Sequence, residues 1–452
     1  MSKHNDVNML SGPLFKNIVR FTVPVILSSI LQLLFNAADL IVVGRFCGSI
    51  SVAAVGATSP LIHLFINFFV GISAGAGVVA ANAIGAGNTK EIKKIVHTAI
   101  PLAFISGAFL SVVGMCFSTP LLKLMRTPND ILVLSSKYMQ IYFAGMCATM
   151  LYNFCAAILR AAGDTKSPLL ALSTSGVINV VLNIIFVVLF HLDVVGVALA
   201  TTISQVVSAV LVLIILMRRN DACKFRFTDI KIHKNALIKI LHIGVPGGIQ
   251  SSLFSISNVL IQSSINSFGE AMISGSSAAS NIEGFIYVIM DSFGIAAINF
   301  AGQNAGIKNY IRVQKVYTTC LFSAFTVAFV IGIGVRIFGE RLLSIYITDS
   351  NEAISFGLVR FTFVALLYFF CGMMSVTSNT IRALGHSIKP MIITLLGVCA
   401  FRVVWIYTVF RITSFHTPAG LYISYPISWA ITFVILLIIL INILKKKITE
   451  KV

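Results

Sequence analysis

The chain has 452 residues, of which 57% are hydrophobic and 11% charged, with a formal net charge of +18 and a mean hydropathy of +0.95. Soluble domains carry about 25% charged residues, so this composition excludes a soluble globular protein and points to a chain that crosses the membrane many times. The positive charge does not imply a nucleic-acid partner, because the basic residues cluster in short stretches between apolar runs.

A spanning helix needs roughly 20 apolar residues. The apolar runs predict an all-α polytopic membrane protein with twelve transmembrane helices. In the first half the expected limits are approximately 14–45, 51–82, 94–118, 130–160, 168–191 and 195–217. In the second they are approximately 237–268, 272–302, 313–338, 352–382, 388–412 and 418–444. With the N-terminus placed in the cytoplasm, most of the 33 Lys and Arg residues fall on the cytoplasmic side. That bias orients the chain in a bacterial-type inner (plasma) membrane with both termini cytoplasmic. Attraction to anionic membrane lipids accounts for the charge of these loops.

The first span carries Pro24, Asn36 and Asp39. Proline removes a helix hydrogen bond and permits a bend, so Pro24 is a candidate hinge, with a merely structural kink as the alternative. Asp39 lies beyond the midpoint of its span. A carboxylate at that depth costs a few kcal/mol and has to be protonated, paired or hydrated, which makes it the sharpest candidate for ion coupling. An interfacial aspartate near the helix end is the competing reading. Asn36 lies three residues earlier and can face the same pocket. In the second span Gly71, Gly75 and Gly77 allow close helix approach and carry no chemistry. On the fifth span Asn179 and Asn183 are four apart and share a face, with Thr201 following at the start of the sixth. Two amides that glue helices together are the competing reading.

The polar stretch from Met217 to Asn235 divides the chain into an expected N-lobe (1–219), a cytoplasmic linker (220–236) and a C-lobe (237–452). On the eighth span Glu283 and Asp291, eight residues apart, fall roughly on one face. Arg402 sits near the middle of the eleventh span, where an unpaired guanidinium is expensive. A buried pair with Glu283 or Asp291 would lower that cost, and a role in binding a cationic substrate is the sharper alternative for this C-lobe polar site. Phe369, Phe370, Met373 and Met374 on the tenth span could supply a plastic apolar pocket, although helix packing accounts for any one of them. The substrate-cavity candidates are Asn258, Gln262, Asn281, Phe369 and Met373.

The two halves repeat. Arg160-Ala-Ala-Gly-Asp-Thr-Lys-Ser-Pro168 returns as Arg382-Ala-Leu-Gly-His-Ser-Ile-Lys-Pro390, 222 residues later. The same offset carries Pro24 onto Pro246 and Asn36 onto Asn258. Asn82-Ala-Ile-Gly85 is echoed by Gln303-Asn-Ala-Gly306, 221 residues on. An even number of spans per half relates the halves by an axis along the membrane normal, a plan common in transporters. The chemistry is not duplicated: Asp39 maps onto Ile261, Asn183 onto Trp405, and Asp164 onto His386.

At these residues the chain resembles the multidrug and toxic compound extrusion (MATE) family. The resemblance rests on Pro24, Asp39 and Gly44 in the first helix, the Gly85–Asn88 turn, Gly302-Gln-Asn304 and the two Arg-Ala-x-Gly turns, and it covers the whole chain. It implies a V-shaped pair of six-helix lobes and antiport of cationic or amphipathic organic compounds against protons, or sodium. It also implies that Asn179, Asn183 and Thr201 line a pocket around Asp39, and that bending at Pro24 accompanies protonation. Where the family frequently has Asp, this chain has Asn183, which weakens the case for sodium. No nucleophile–base set, phosphate-binding loop or metal-ligand cluster is evident, so neither an enzyme nor a cofactor is expected. The expected partners are a small-molecule substrate and membrane lipids, with the protein a monomer. A flippase for lipid-linked saccharides is the rival, which would be marked by several basic residues in its cavity.

Overall fold

The computed structural model describes residues 6–348 and 350–450. It is helical, with no strand among the described residues. Twelve helical segments follow one another: α1 (Leu14–Phe46), α2 (Ser49–Gly85), α3 (Thr89–Leu124), α4 (Asn129–Ala144 continued by Met146–Ala161), α5 (Lys166–Leu189) and α6 (Asp193–Arg218), then α7 (Lys234–Asn266), α8 (Glu270–Gly306), α9 (Tyr310–Ile337), α10 (Asn351–Ala383), α11 (Ile388–Arg411) and α12 (Pro418–Thr449). Ten of these are long and apolar enough to cross a membrane, and α4, bent by 46° at Gly145, is an eleventh. The remaining helix, α7, has 33 residues, among them many serines, Gln250, Asn258 and Gln262. The expected twelve-helix, two-lobe membrane architecture is thus the one observed.

The sequence repeat is a repeat of backbone conformation. Gly48 (φ 89°) precedes α2 and Gly269 (φ 91°) precedes α8. Gly163 (φ 96°) and Gly385 (φ 89°) occupy the same place in the two Arg-Ala-x-Gly turns. These left-handed positions are where a Cβ is penalised and glycine is not. The caps repeat too. The side chain of Asn88 accepts a hydrogen bond from the Glu91 backbone N–H at the start of α3, at 3.1 Å, and Asn309 does the same for Arg312 at the start of α9, also at 3.1 Å.

The chain forms two compact units whose limits depart from the expected domain limits. Unit 1 takes Val23–Gly248 and the segment up to Asn8; unit 2 takes Met9–Thr22 and the chain from Ile249 on. The expected linker and the start of α7 therefore belong to unit 1, and the start of α1 to unit 2. The reason is packing. In unit 1 a Cβ on Gly75 would come within 2.6 Å of the Gly244 backbone, and one on Gly71 would overlap the backbone of Gly248. The glycines of α2 let α7 lie against it backbone to backbone, as in small-xxx-small packing. In unit 2 the ring of Phe21, in the first turns of α1, meets Phe300 of α8 edge-on at 5.5 Å. Pro24 and Pro246 each stand two residues from a changeover between units.

Beyond the helix ends, Arg219 is fully buried in unit 1 among Asp6 (2.7 Å), Asp221 (2.5 Å) and Asp164 (3.7 Å). Asp164 also caps the start of α5 by accepting from the Ser167 backbone N–H at 3.0 Å. The Val7 backbone N–H donates to the Gly163 carbonyl at 3.0 Å. The Arg-Ala-x-Gly turn of the first repeat is thereby tied to the N-terminal segment. His386 replaces Asp164 in the second turn, so the arginine clamp has no counterpart there.

Candidate functional site

The site around Asp39 is assembled by helix periodicity. Residues four apart on a helix lie one above the other. On α1 this sets Phe35, Asp39 and Val43 on one face, and Val43 is fully buried. On α5 the matching face carries Gly176, Asn179 and Asn183. Gly176 has no side chain because the Phe35 ring fills that space: a Cβ there would overlap the ring. With Phe35 seated against Gly176, Asp39 arrives one turn further along α1, opposite Asn183.

The Asn183 side-chain amide donates to Asp39 Oδ1 at 2.5 Å, and the Thr201 hydroxyl donates to Asp39 Oδ2 at 3.1 Å. Asn183 also donates to Asn179 Oδ1 at 3.2 Å, and Asn179 to Thr201 Oγ at 3.4 Å. Asp39, Asn179, Asn183 and Thr201, four of the five ion-coupling candidates, therefore form one hydrogen-bonded group on α1, α5 and α6. Asn179 and Asn183 are buried, and Asn183 Oδ1 is a buried acceptor without a hydrogen-bond partner. Asn36 departs from expectation. Its side chain is exposed and stands outside the group, because three residues on a helix leave it about 60° from Asp39.

Two residues of the neighbourhood were not anticipated. Tyr138 and Tyr142 of α4 lie within electrostatic range of Asp39, and their rings stack at 6.0 Å. Their spacing of four residues is the only signal the sequence carries for them. A testable consequence of the geometry concerns Gly176. Gly176→Leu should push Phe35 out and separate α1 from α5, an overpacking cost of about 1–3 kcal/mol. The expected result is a lowered unfolding temperature of the purified protein, with the amount of protein in the membrane little changed. An unchanged unfolding temperature would show that the Phe35 seat does not hold α1 against α5.

Unit 2 corrects the expected C-lobe polar site. Glu283 is paired with Arg360 of α10 and not with Arg402. Arg360 Nε lies 3.0 Å and Nη2 2.7 Å from the two carboxylate oxygens, while Nη1 donates to Ser276 at 2.8 Å. Both partners are buried. The pairing was missed because the carboxylate for Arg360 comes from α8 and not from its own helix. Asp291 accepts from the Ser375 hydroxyl at 3.1 Å, and the guanidinium it acts on electrostatically is that of Arg382. Arg402 donates through Nε to Ser428 at 3.1 Å and lies over the Tyr425 ring at 4.1 Å. Glu283, Asp291 and Arg402 thus belong to separate interactions.

The cavity candidates are dispersed. Asn258 and Asn281 are exposed, and Gln262 donates to Asn266 of its own helix at 3.0 Å. Phe369 packs edge-on against Phe325 at 5.0 Å and Phe329 at 5.9 Å of α9, which is helix packing. Met373 is half-buried beside it on α10.

The comparisons with known proteins agree with this architecture. The "Probable multidrug resistance protein YoeA" of Bacillus subtilis (strain 168) is 28% identical over 435 residues, covering 94% of this chain and 93% of that one. The "Probable multidrug resistance protein YpnP" of the same organism is 26% identical over 392 residues, covering 86% and 87%. Among solved structures, one described as an outward-facing conformation of a multidrug resistance MATE family transporter superposes with a TM-score of 0.92 at 22% identity, covering 99% of this chain and 100% of that one. The family model MatE matches twice, at residues 24–185 and 246–408, so that its two copies begin at Pro24 and Pro246. That double match takes in well over half of the chain, and the protein belongs to the MatE family.

Proposed function

We propose that the protein is a secondary active multidrug exporter that moves cationic or amphipathic organic compounds out of the cell in exchange for protons, by alternating access. The observation that carries the coupling ion is the hydrogen-bonded group of Asp39, Asn183, Asn179 and Thr201. It offers one carboxylate, whereas a sodium site is favoured by several hard, charged oxygen ligands. A proton needs only one. Asn183 suits both protonation states of Asp39. Its NH2 faces an ionised carboxylate, and its unpartnered Oδ1 becomes the acceptor for a carboxylic O–H when the amide turns over. An ionised aspartate at position 183 would offer acceptors alone.

For a proton to drive export, it must bind the two transport states with different affinity. Pro24 is the proposed hinge. It stands fifteen residues before Asp39 on α1, next to the point where that helix passes from one unit to the other. The multidrug resistance names of the relatives support the substrate class. The proposed setting is the inner (plasma) membrane with cytoplasmic termini, in a protein that works as a monomer.

The test is extrusion of a fluorescent organic cation from proteoliposomes under pH and sodium gradients imposed independently. The expected result is uphill transport under the pH gradient alone. Transport driven only by sodium would overturn proton coupling, and flux with neither gradient would indicate a channel.

A further inference from the structure

Arg402 presents a different problem from Arg360. Both guanidinium groups are buried inside unit 2, but Arg360 has Glu283 as its counter-charge. Arg402 is 2% exposed, and no carboxylate pairs with it among the described residues. Its Nε is satisfied by Ser428, and one face of the guanidinium is covered by Tyr425. Its Nη2 is buried and donates to nothing. The Trp429 ring centroid lies 5.5 Å from the guanidinium carbon, and Trp429 Nε1, on a side chain 3% exposed, also donates to nothing. Two orphaned N–H donors and one uncompensated positive charge therefore occur together, next to the π-helical turn Leu395–Ala400 that leads into Arg402. Such turns are frequent at functional sites.

We propose that Arg402 and Trp429 bind a small monovalent anion of chloride size within unit 2. Buried donors left unpaired are costly, and a buried charge left unpaired is costlier. A water molecule would satisfy the donors but leave the charge. A single-atom anion satisfies both. The side chains around the guanidinium, Ser428, Tyr425 and Trp429, are all buried. The ligand takes for Arg402 the place that Glu283 takes for Arg360. Anion binding here is independent of Asp39 and of the identity of the coupling ion.

The chain has two tryptophans, Trp405 and Trp429, so Trp405→Phe leaves Trp429 as the sole fluorophore. The purified variant is titrated with bromide in a gluconate background at constant ionic strength. Collisional quenching of so buried a ring is weak. The expected result is saturable quenching by bromide that chloride reverses competitively. Adding Arg402→Gln should remove the saturable component. Quenching that rises linearly with bromide and ignores chloride in the Trp405→Phe protein would overturn the proposal. The chloride competition decides the matter even where the Arg402→Gln protein does not fold.

Discussion

Replacing Asp39 with asparagine is expected to abolish pH-driven export while leaving a folded protein. The amide side chain keeps the size of the carboxylate and one carbonyl oxygen, which still accepts from Asn183 or Thr201, the two donors that meet Asp39 at 2.5 and 3.1 Å. What the substitution removes is the charge and the titratable proton. Coupling free energies between sites amount to about 1–3 kcal/mol, or about 5–150-fold in affinity. The pH gradient's effect on substrate affinity, in that range for the parent protein, should vanish in the variant and pH-driven extrusion with it, while the thermal unfolding of the purified protein is little changed. Full gradient-driven transport by Asp39→Asn would remove Asp39 from the mechanism. Loss of transport together with loss of folded protein would instead place the residue among the helix-packing contacts of α1 and α5.

Breaking the Glu283–Arg360 pair should have the largest effect on stability. The two side chains are 3% and 7% exposed and meet in a forked, bidentate geometry at 2.7–3.1 Å. Removing one partner of a buried pair leaves the other uncompensated, typically at about 3–5 kcal/mol. Glu283→Gln and Arg360→Met are each expected to lower the unfolding temperature markedly and to reduce the amount recovered from the membrane. The double variant Glu283→Met with Arg360→Met should recover much of the loss, because it leaves no orphaned charge. Additive losses in the double variant would show that the two side chains act independently.

Much of the Asp39 site was legible in the sequence alone. Asp39 stood out as a charge in an apolar run, and Asn179 and Asn183 as polar residues one helical turn apart. Spacing along one helix is information the sequence holds directly. The C-lobe pairing was not legible for the complementary reason. Arg360 and Glu283 are 77 residues apart on different helices, and nothing in the sequence distinguishes that match from a match of Glu283 with Arg402. Tyr138 and Tyr142 were hidden in the same way, because their nearness to Asp39 depends on how α4 lies beside α1.

The sequence by itself determined the twelve spans, the duplication and the turns that repeat at an offset of 221 or 222 residues. Apolar length, left-handed glycines and asparagine caps are local requirements that each residue meets with its near neighbours. Only the tertiary structure decided which buried charges are partners and where the compact units begin and end. The first required the relative rotation of helices distant in sequence. The second followed from backbone contact between Gly71 and Gly75 of α2 and Gly248 and Gly244 of α7, which draws the start of the second repeat into the first unit.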